Sequence, residues 1–550
     1  MTKTFLIAAT ASTFLLTAAQ QLQQTAPAPE VRTQEVRTQD DGFVFQSRVT
    51  LIEVPVVVRD KNGRTVGTLR QEDFQLFDKG KPQLILKLSV ERSGHGKAIS
   101  QAPTGEAGGA AEENGGAPSV VAPDHFVGFL FDDLHMRFED LAYTRNATQK
   151  FIASNLKATD RVAIFTTSGQ TQLDFTDDRD LMSKVLLKIA PHPFEPPPGC
   201  PSLSFVDADR IHNQGDSELR TRIARGIIQV CAPDLPSAES KVSSQAAFVM
   251  HVYEQTLQVT VGSLTDVVNR MAQAPGQRSL VLASSGFLSP PQMTNVGPAI
   301  DRAIKSGVII NTLDARGLTT QNDARAGWPT AVLAELASGT GGRFIQNTND
   351  LTGGVQELAA APEVYYVLGF SPQNIKLDGA FHSLKVNLRS SPGLSVQARL
   401  GYYAPTQLAT AEEDAKEEVT QALFSRDEMR EIPVEMNTRF FKTNESEARL
   451  SVTSRVDVRR LRFRKSDDRN VNNVRVVCGL FDRNGNLVQG IAKMIQMRLL
   501  DETLQKDKLS AGVSVRSDFT VASGTYVIRL VVRDAEGRTM TAQNSAVKIP

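Results

Sequence analysis

The sequence predicts an α/β chain: a doubly wound, mostly parallel sheet flanked by two β-sandwich domains. Between residues 124 and 363, short apolar runs alternate with stretches carrying apolar residues at helical spacing. That alternation is the pattern of a parallel sheet with helices on both faces. On either side the helical spacing fades, and strand-like runs separated by turn signals replace it. A length of 550 residues suits about three domains.

Composition narrows the class. Hydrophobic residues make up 41% and charged residues 22%, as in soluble globular proteins. The formal net charge is +0 and no lysine- and arginine-rich block occurs, which argues against a nucleic-acid partner. The chain opens with Lys3, an uncharged stretch from Thr4 to Ala19 and the small residues Thr17-Ala18-Ala19. Charge, short apolar run and small residues in that order read as a signal peptide over 1–19, and so as a secreted or periplasmic protein. Retention as an uncleaved anchor is the alternative. No later run reaches the roughly 18 apolar residues of a span.

Residues 20–42 are rich in Gln, Thr, Pro and charge and read as a disordered lead-in. Residues 43–91 carry VTLIEVPVVVRD and further β-type segments and read as a small β-sandwich. Residues 92–123, with GEAGGAAEENGGAP, read as a flexible linker. The α/β region then runs over 124–363, with FVGFLFD, RVAIFTT, SLVLASS and GVIINTLDA as buried-type strands. Residues 190–243, including Pro196-Pro197-Pro198, interrupt it as an insert. A long helical stretch, AAFVMHVYEQTLQVTVGSLTDVVNRMA, follows the insert. Residues 364–405 return to β as a hairpin extension, 406–429 form a charged helical connector, and 430–550 form a C-terminal β-sandwich.

A turn repeat links the two β regions. VPVVVRDKNGRTV, VRVVCGLFDRNGNLV and VIRLVVRDAEGRTM each end an alternating strand with Asp, two residues, then Gly. The pairs are Asp60 and Gly63, Asp482 and Gly485, and Asp534 and Gly537. Asp at a first turn position accepts backbone N–H groups and Gly tolerates positive φ, so these read as hairpin turns. A Ca²⁺ loop would need further carboxylates. Both β-domains accordingly read as immunoglobulin-like sandwiches.

Chemistry is sparse. The seven His show no His-x₃-His spacing, no Cys-x₂-Cys pair occurs, and there is no Gly-x-Ser-x-Gly elbow. Gly339-Thr340-Gly341-Gly342 lacks the ending of a phosphate loop and reads as a helix-to-strand turn. Tyr365-Tyr366 and Tyr402-Tyr403 read as sheet residues with partly exposed rings. Cys478 sits in an apolar run and reads as a buried small hydrophobe. Cys200 and Cys231 flank one proline-rich stretch, and both a disulfide and two free thiols fit that placement.

The middle of the chain resembles the bacterial von Willebrand factor A-related family, in a secreted subtype with flanking β-domains. The resemblance rests on FVGFLFDDLHM, ATDRVAIFTTSGQTQLDFTDDRDLM, SLVLASSGF, VIINTLDARGL, LASGTGGRFIQNTNDL, YYVLGFSP and LGYYAP, together spanning roughly 43–405 with VPVVVRDKNGRTVGTLRQEDFQLFDKGKPQ. It implies a metal-ion-dependent adhesion site in three loops: Asp-x-Ser-x-Ser, a Thr, and an Asp before Gly. Asp132 matches the first Asp, but Leu134 and Met136 occupy the serine positions; Thr176 matches the Thr; Ser285 stands at the third Asp position. The resemblance therefore implies a degenerate site around Asp132, Thr176, Ser285 and Asp133, with His135 and Asp178 nearby. The expectation is no cofactor, with Asp132 ordering its loop through backbone N–H groups; Mg²⁺ or another divalent cation is the alternative. Ligands of such sheets bind beyond the carboxyl ends of the strands. The expected function is a non-catalytic interaction module for a protein or cell-surface ligand. The alternatives are a structural component of an envelope assembly and an exported hydrolase.

Overall fold

The computed structural model of the chain describes residues 36–40, 52–92, 98–99, 120–193, 199–287, 296–318, 330–372, 377–389, 393–407, 410–425, 427–505 and 512–550. The leader, most of the lead-in and linker, and Pro196-Pro197-Pro198 lie outside the described residues.

The α/β region is a six-stranded sheet. In spatial order its strands are Gln172–Thr176, Asp160–Thr166, His125–Phe131, Gln277–Ser284, Val308–Asp314 and Phe344–Ile345. All neighbours pair in parallel except the antiparallel edge Gln172–Thr176. Numbered along the chain, the order is 3-2-1-4-5-6. It reverses direction between the first and fourth strands, which defines a switch point at their carboxyl ends. Every residue of His125–Phe131 and Asp160–Thr166 is buried. That explains the unbroken apolar runs, since helices cover both faces. One face holds α1 (Phe138–Ser154), α2 (Arg179–Leu186) and α8 (Leu351–Ala359), packed on Val127, Phe129, Ile164 and Val281. The other holds α5 (Leu235–Met271), α6 (Gly297–Lys305) and α7 (Ala331–Thr340), packed on Phe126, Leu130, Leu280 and Ile310. Gly341 caps α7 at φ 83°, and a Cβ on Gly342 would lie 2.0 Å from the Ile310 carbonyl oxygen. Close packing of backbone on backbone thus accounts for the glycines at this turn.

The described parts of the segments 43–91 and 364–405, read separately from sequence, build one sandwich. One sheet runs Ser395–Ala398, Ile52–Arg59, Val364–Phe370, Ile85–Arg92; the other runs Gly401–Tyr403, Phe381–Leu388, Phe74–Asp78, Lys81–Gln83. Their shared core includes Val54, Val56, Phe74, Leu76, Tyr366, Leu368, Phe370 and Tyr402. The chain leaves this sandwich at Arg92 and returns at Val364, and these two residues are register partners. The α/β region is therefore an insertion between two adjacent strands. Tyr366 and Tyr402 are buried rather than partly exposed. The Tyr402 hydroxyl donates to Asp78, and burial raises its pKa.

The C-terminal sandwich pairs a three-stranded sheet, Val434–Lys442, Glu447–Val456 and Val513–Ala522, with a larger one centred on Arg469–Asp482 and Gly524–Asp534. Cys478 is fully buried in that core, and desolvation pushes its thiol up to about 12. The connector helix α9 (Ala411–Phe424) buries Val419, Ala422, Leu423 and Phe424 against the outer face of the larger sheet, so only its acidic face matches the solvated reading. Part of the lead-in is ordered too. Val36–Asp40 pairs antiparallel with Lys493–Met497 at the sheet edge, where an exposed ladder offers backbone groups to any extended segment.

The Asp turns are hairpin turns. Oδ1 of Asp60 accepts from the Asn62 and Arg64 amides, Asp482 from Asn484 and Asn486, and Asp534 from Glu536 and Gly537. Gly63 and Gly485 have φ of 78° and 81°, while in the third turn Arg538 takes positive φ instead. The Asp482 turn also docks under the α/β sheet. Arg483 pairs with Asp177, and its carbonyl accepts from Arg161.

Candidate functional site

The sequence places Asp132 directly after the first strand, and the switch point makes that position the centre of the sheet's carboxyl end. Asp132 and Asp133 are both fully buried. Three strand-end loops and the segment after α2 surround them. The first loop supplies His135, whose Nδ1 lies 2.8 Å from Asp132 Oδ1. The loop after the second strand supplies Thr167 and Ser168. Thr167 Oγ1 lies 3.1 Å from Asp132 Oδ1 and 3.0 Å from Asp133 Oδ1. The Ser168 amide and hydroxyl donate to the two Asp133 oxygens, and His192 Nδ1 lies 3.0 Å from Oδ2. The fourth strand ends in Ser284, whose hydroxyl donates to Asp132 Oδ2 and accepts from the Gly286 amide. Each carboxylate oxygen thus has at least one donor, as burial of these groups requires.

The structure redistributes the residues expected from the motif. Asp132 and Asp133 sit at the centre. Thr176 does not join them: it pairs with Val162, near the amino end of the second strand, and its hydroxyl accepts from the Asp178 amide. The edge strand runs antiparallel, so the chain has travelled back down the sheet by Thr176. Asp178 caps α2 by accepting from the Leu181 amide. Ser285 Oγ donates to the His135 carbonyl, and Ser284 makes the bond to Asp132. Thr167, Ser168 and His192 are the residues that motif matching overlooked. The strand-end position of Thr167-Ser168, directly after RVAIFT, was the available signal. At the next strand end, Asp314 forms a buried ion pair with Arg316 at 2.9 Å.

These residues do not fit a divalent cation. Leu134 and Met136 are buried and carry no ligand oxygen, and the Asp132 oxygens accept from histidine and hydroxyl donors. Among the described residues no group of three or more His, Cys, Asp and Glu side chains is arranged to hold a metal ion. Millimolar Mg²⁺, Mn²⁺ or Ca²⁺ should accordingly leave the melting temperature where chelator leaves it. A metal that binds the folded chain must raise it, so a reproducible rise would overturn the assignment.

The insert overhangs this site. Cys200 and Cys231 are joined by a disulfide, with Cα atoms 6.2 Å apart. It staples α3 (Phe205–His212) and α4 (Ser217–Ile227) onto the amino-terminal half of α5 around Ala208, Leu219, Val242, Ala246 and Met250. The carboxyl-terminal half of α5 lies on the sheet through Leu257, Val261, Leu264 and Val268. Ser263 Oγ donates to the Thr167 carbonyl, which marks the level of the strand ends on this helix. The helix runs ~40 Å before this point at 1.5 Å per residue, its first turns carrying the insert and Leu257 and Val261 already packed on the sheet core. Aromatic rings join insert and site: Phe205 lies 3.9 Å from Tyr253, Tyr253 lies 6.4 Å from His135, and His135 stacks on Phe287 at 5.5 Å.

No family model matches the chain, and no curated protein matches it. Solved structures that share features with it include an aerotolerance-related membrane protein from Bacteroides fragilis, 13% identical, covering 43% of this chain and 96% of that one at a TM-score of 0.24. A conserved hypothetical protein BatB from Bacteroides thetaiotaomicron is 11% identical, with 43% and 96% covered and a TM-score of 0.22. Among the described residues no helix is long and apolar enough to cross a membrane.

Proposed function

We propose that the chain is an exported, non-catalytic interaction module of the von Willebrand factor A type, acting in the periplasm or outside the cell. It binds a protein or cell-surface ligand through the loops at the carboxyl end of its parallel sheet, without a metal. The carrying observation is the coincidence at one end of the sheet of the switch point, the locked Asp132–Asp133 pair and the overhanging helical insert. The non-catalytic part of the reading is supported by how the hydroxyls are used. Thr167, Ser168 and Ser284 donate into buried carboxylates, and Ser285 into a backbone carbonyl. A nucleophile would instead face a free base. The flanking sandwiches are read as immunoglobulin-like spacers that present this end.

A second reading has its own observation. Val36–Asp40 covers only Lys493–Met497 of the strand Leu487–Leu499, so strand addition in an envelope assembly is open to the remainder. Site-specific photo-crosslinking in the native envelope separates the two. A crosslinker at His192 or at the exposed insert residue Val230 should capture the partner, and one at the exposed edge residue Val488 should not. Capture from Val488 alone would overturn the loop reading in favour of strand addition.

A further inference from the structure

The opposite end of the parallel sheet faces the N-terminal sandwich, and a small cleft, partly open to solvent, lies between them. Arg59 and Gln397 line it from the sandwich; His125, Arg278 and Arg343 line it from the sheet, with Glu357 from α8. Three guanidinium groups therefore meet one carboxylate, and that carboxylate, Glu357, is paired with Arg343. Among the described residues Arg278 has no acidic partner in the cleft. Its Nε, Nη1 and Nη2 donate to the carbonyls of Ala274, Ser306 and Phe424, and burial lowers its pKa to about 10, so it keeps its charge near neutrality. Arg59 gives Nη1 to the Gly63 carbonyl, and its pKa is lowered by burial and by the Arg343 guanidinium. Two buried polar atoms here, Arg59 Nε and His125 Nε2, have no hydrogen-bond partner among the described residues. His125 is 3% exposed, and its Nδ1 is held 3.3 Å from Asp160.

A cluster of three fixed cations with one carboxylate between two domains costs energy, and guanidinium groups do not relieve it by losing a proton near neutral pH. Their planar forks match the two oxygens of a carboxylate or phosphate. We propose that this cleft binds a small oxyanion, through a carboxylate or phosphate group held by Arg59 and Arg343 beside His125, and that the anion ties the α/β region to the sandwich into which it is inserted. The site is independent of the strand-end loops and lies at the other end of the sheet.

Thermal unfolding of the full chain tests this, with inorganic phosphate or acetate titrated against sodium chloride at matched ionic strength. One of the two anions should raise the melting temperature saturably, by on the order of 5 °C at a hundredfold excess over Kd. The anion that does so names the ligand group. Phosphate also stabilises proteins generally by exclusion from their surface, so the decisive quantity is the difference between wild type and variant. Arg59→Ala combined with Arg343→Ala should remove the saturable part. Gln397→Glu, which adds a carboxylate on the sandwich side, should remove it as well and serves if the double variant folds poorly. A wild-type response equal to that in chloride, or one that survives in a folded variant, would overturn the proposal.

Discussion

Asp132→Ala should destabilise the α/β region by about 3–5 kcal/mol, the usual cost of breaking a buried charged network by removing one partner. The carboxylate is fully buried and accepts from His135, Thr167 and Ser284, which join the first, second and fourth strand ends. Alanine leaves those donors facing a small void, and each buried donor without an acceptor costs about 1–3 kcal/mol. Thr167 retains Asp133 as an alternative acceptor, so the three costs do not simply add. Asp132→Asn should fall between wild type and alanine, because one oxygen still accepts while the amide turns N–H groups toward a donor. Asp178→Ala is the control: it removes an exposed helix cap, worth about 1 kcal/mol. Amide exchange in the strands His125–Phe131 and Gln277–Ser284 reads the change within this region and avoids assuming two-state unfolding of a multidomain chain. Protection factors within tenfold of wild type would show that Asp132 does not hold the strand ends together. Added Mg²⁺ should restore nothing to any of the variants.

How much of this was legible in the sequence depends on the range of each signal. The strands His125–Phe131, Asp160–Thr166, Gln277–Ser284 and Val308–Asp314 announce themselves as short apolar runs because both faces of each are covered. Position alone then places Asp132, Thr167 and Ser284 at strand ends. Strand direction is not a local property. DFT in Gln172–Thr176 reads the same whether the strand runs up or down the sheet, and its antiparallel course carries Thr176 away from the site that the motif assigned to it. The sandwich was hidden for a related reason. Val364 meets Arg92 across the whole inserted region, and nothing in either segment encodes the other. The start of α5 was missed because its first turns, LPSAESKVSSQ, are mostly polar. Only Ala238 and Val242 mark the buried side, four residues apart, and the surface they meet belongs to helices α3 and α4.

That polar first half of α5 makes the disulfide matter more than a cross-link elsewhere would. A helix projecting past its sheet has no core of its own, and here the small helices α3 and α4 supply one around Ala208, Leu219 and Val242. The bridge closes a sequence separation of 31 residues, for which chain entropy gives about 3–4 kcal/mol of stabilisation. In so small a cluster that equals one or two of its buried aliphatic side chains, each worth about 1.5–3 kcal/mol. Cys200→Ser with Cys231→Ser, or reduction of the wild type, should therefore raise amide exchange in α3, α4 and residues 235–250 by a hundredfold or more. Residues 257–271 should keep their protection, because Leu257, Leu264 and Val268 bury against the sheet whether or not the insert is closed. The boundary should fall between Met250, the last α5 residue in the insert cluster, and Leu257, the first in the sheet core. Uniform loosening of all of α5 would mean that the insert and the sheet form one cooperative unit. Unchanged exchange in α3 and α4 would mean that their apolar cluster suffices without the bridge. If the predicted boundary is found, ligand capture at Val230 should be lost on reduction while capture at His192 survives. A two-part surface of that kind has one wall fixed by Asp132 and Asp133 and the other held in place by the Cys200–Cys231 disulfide.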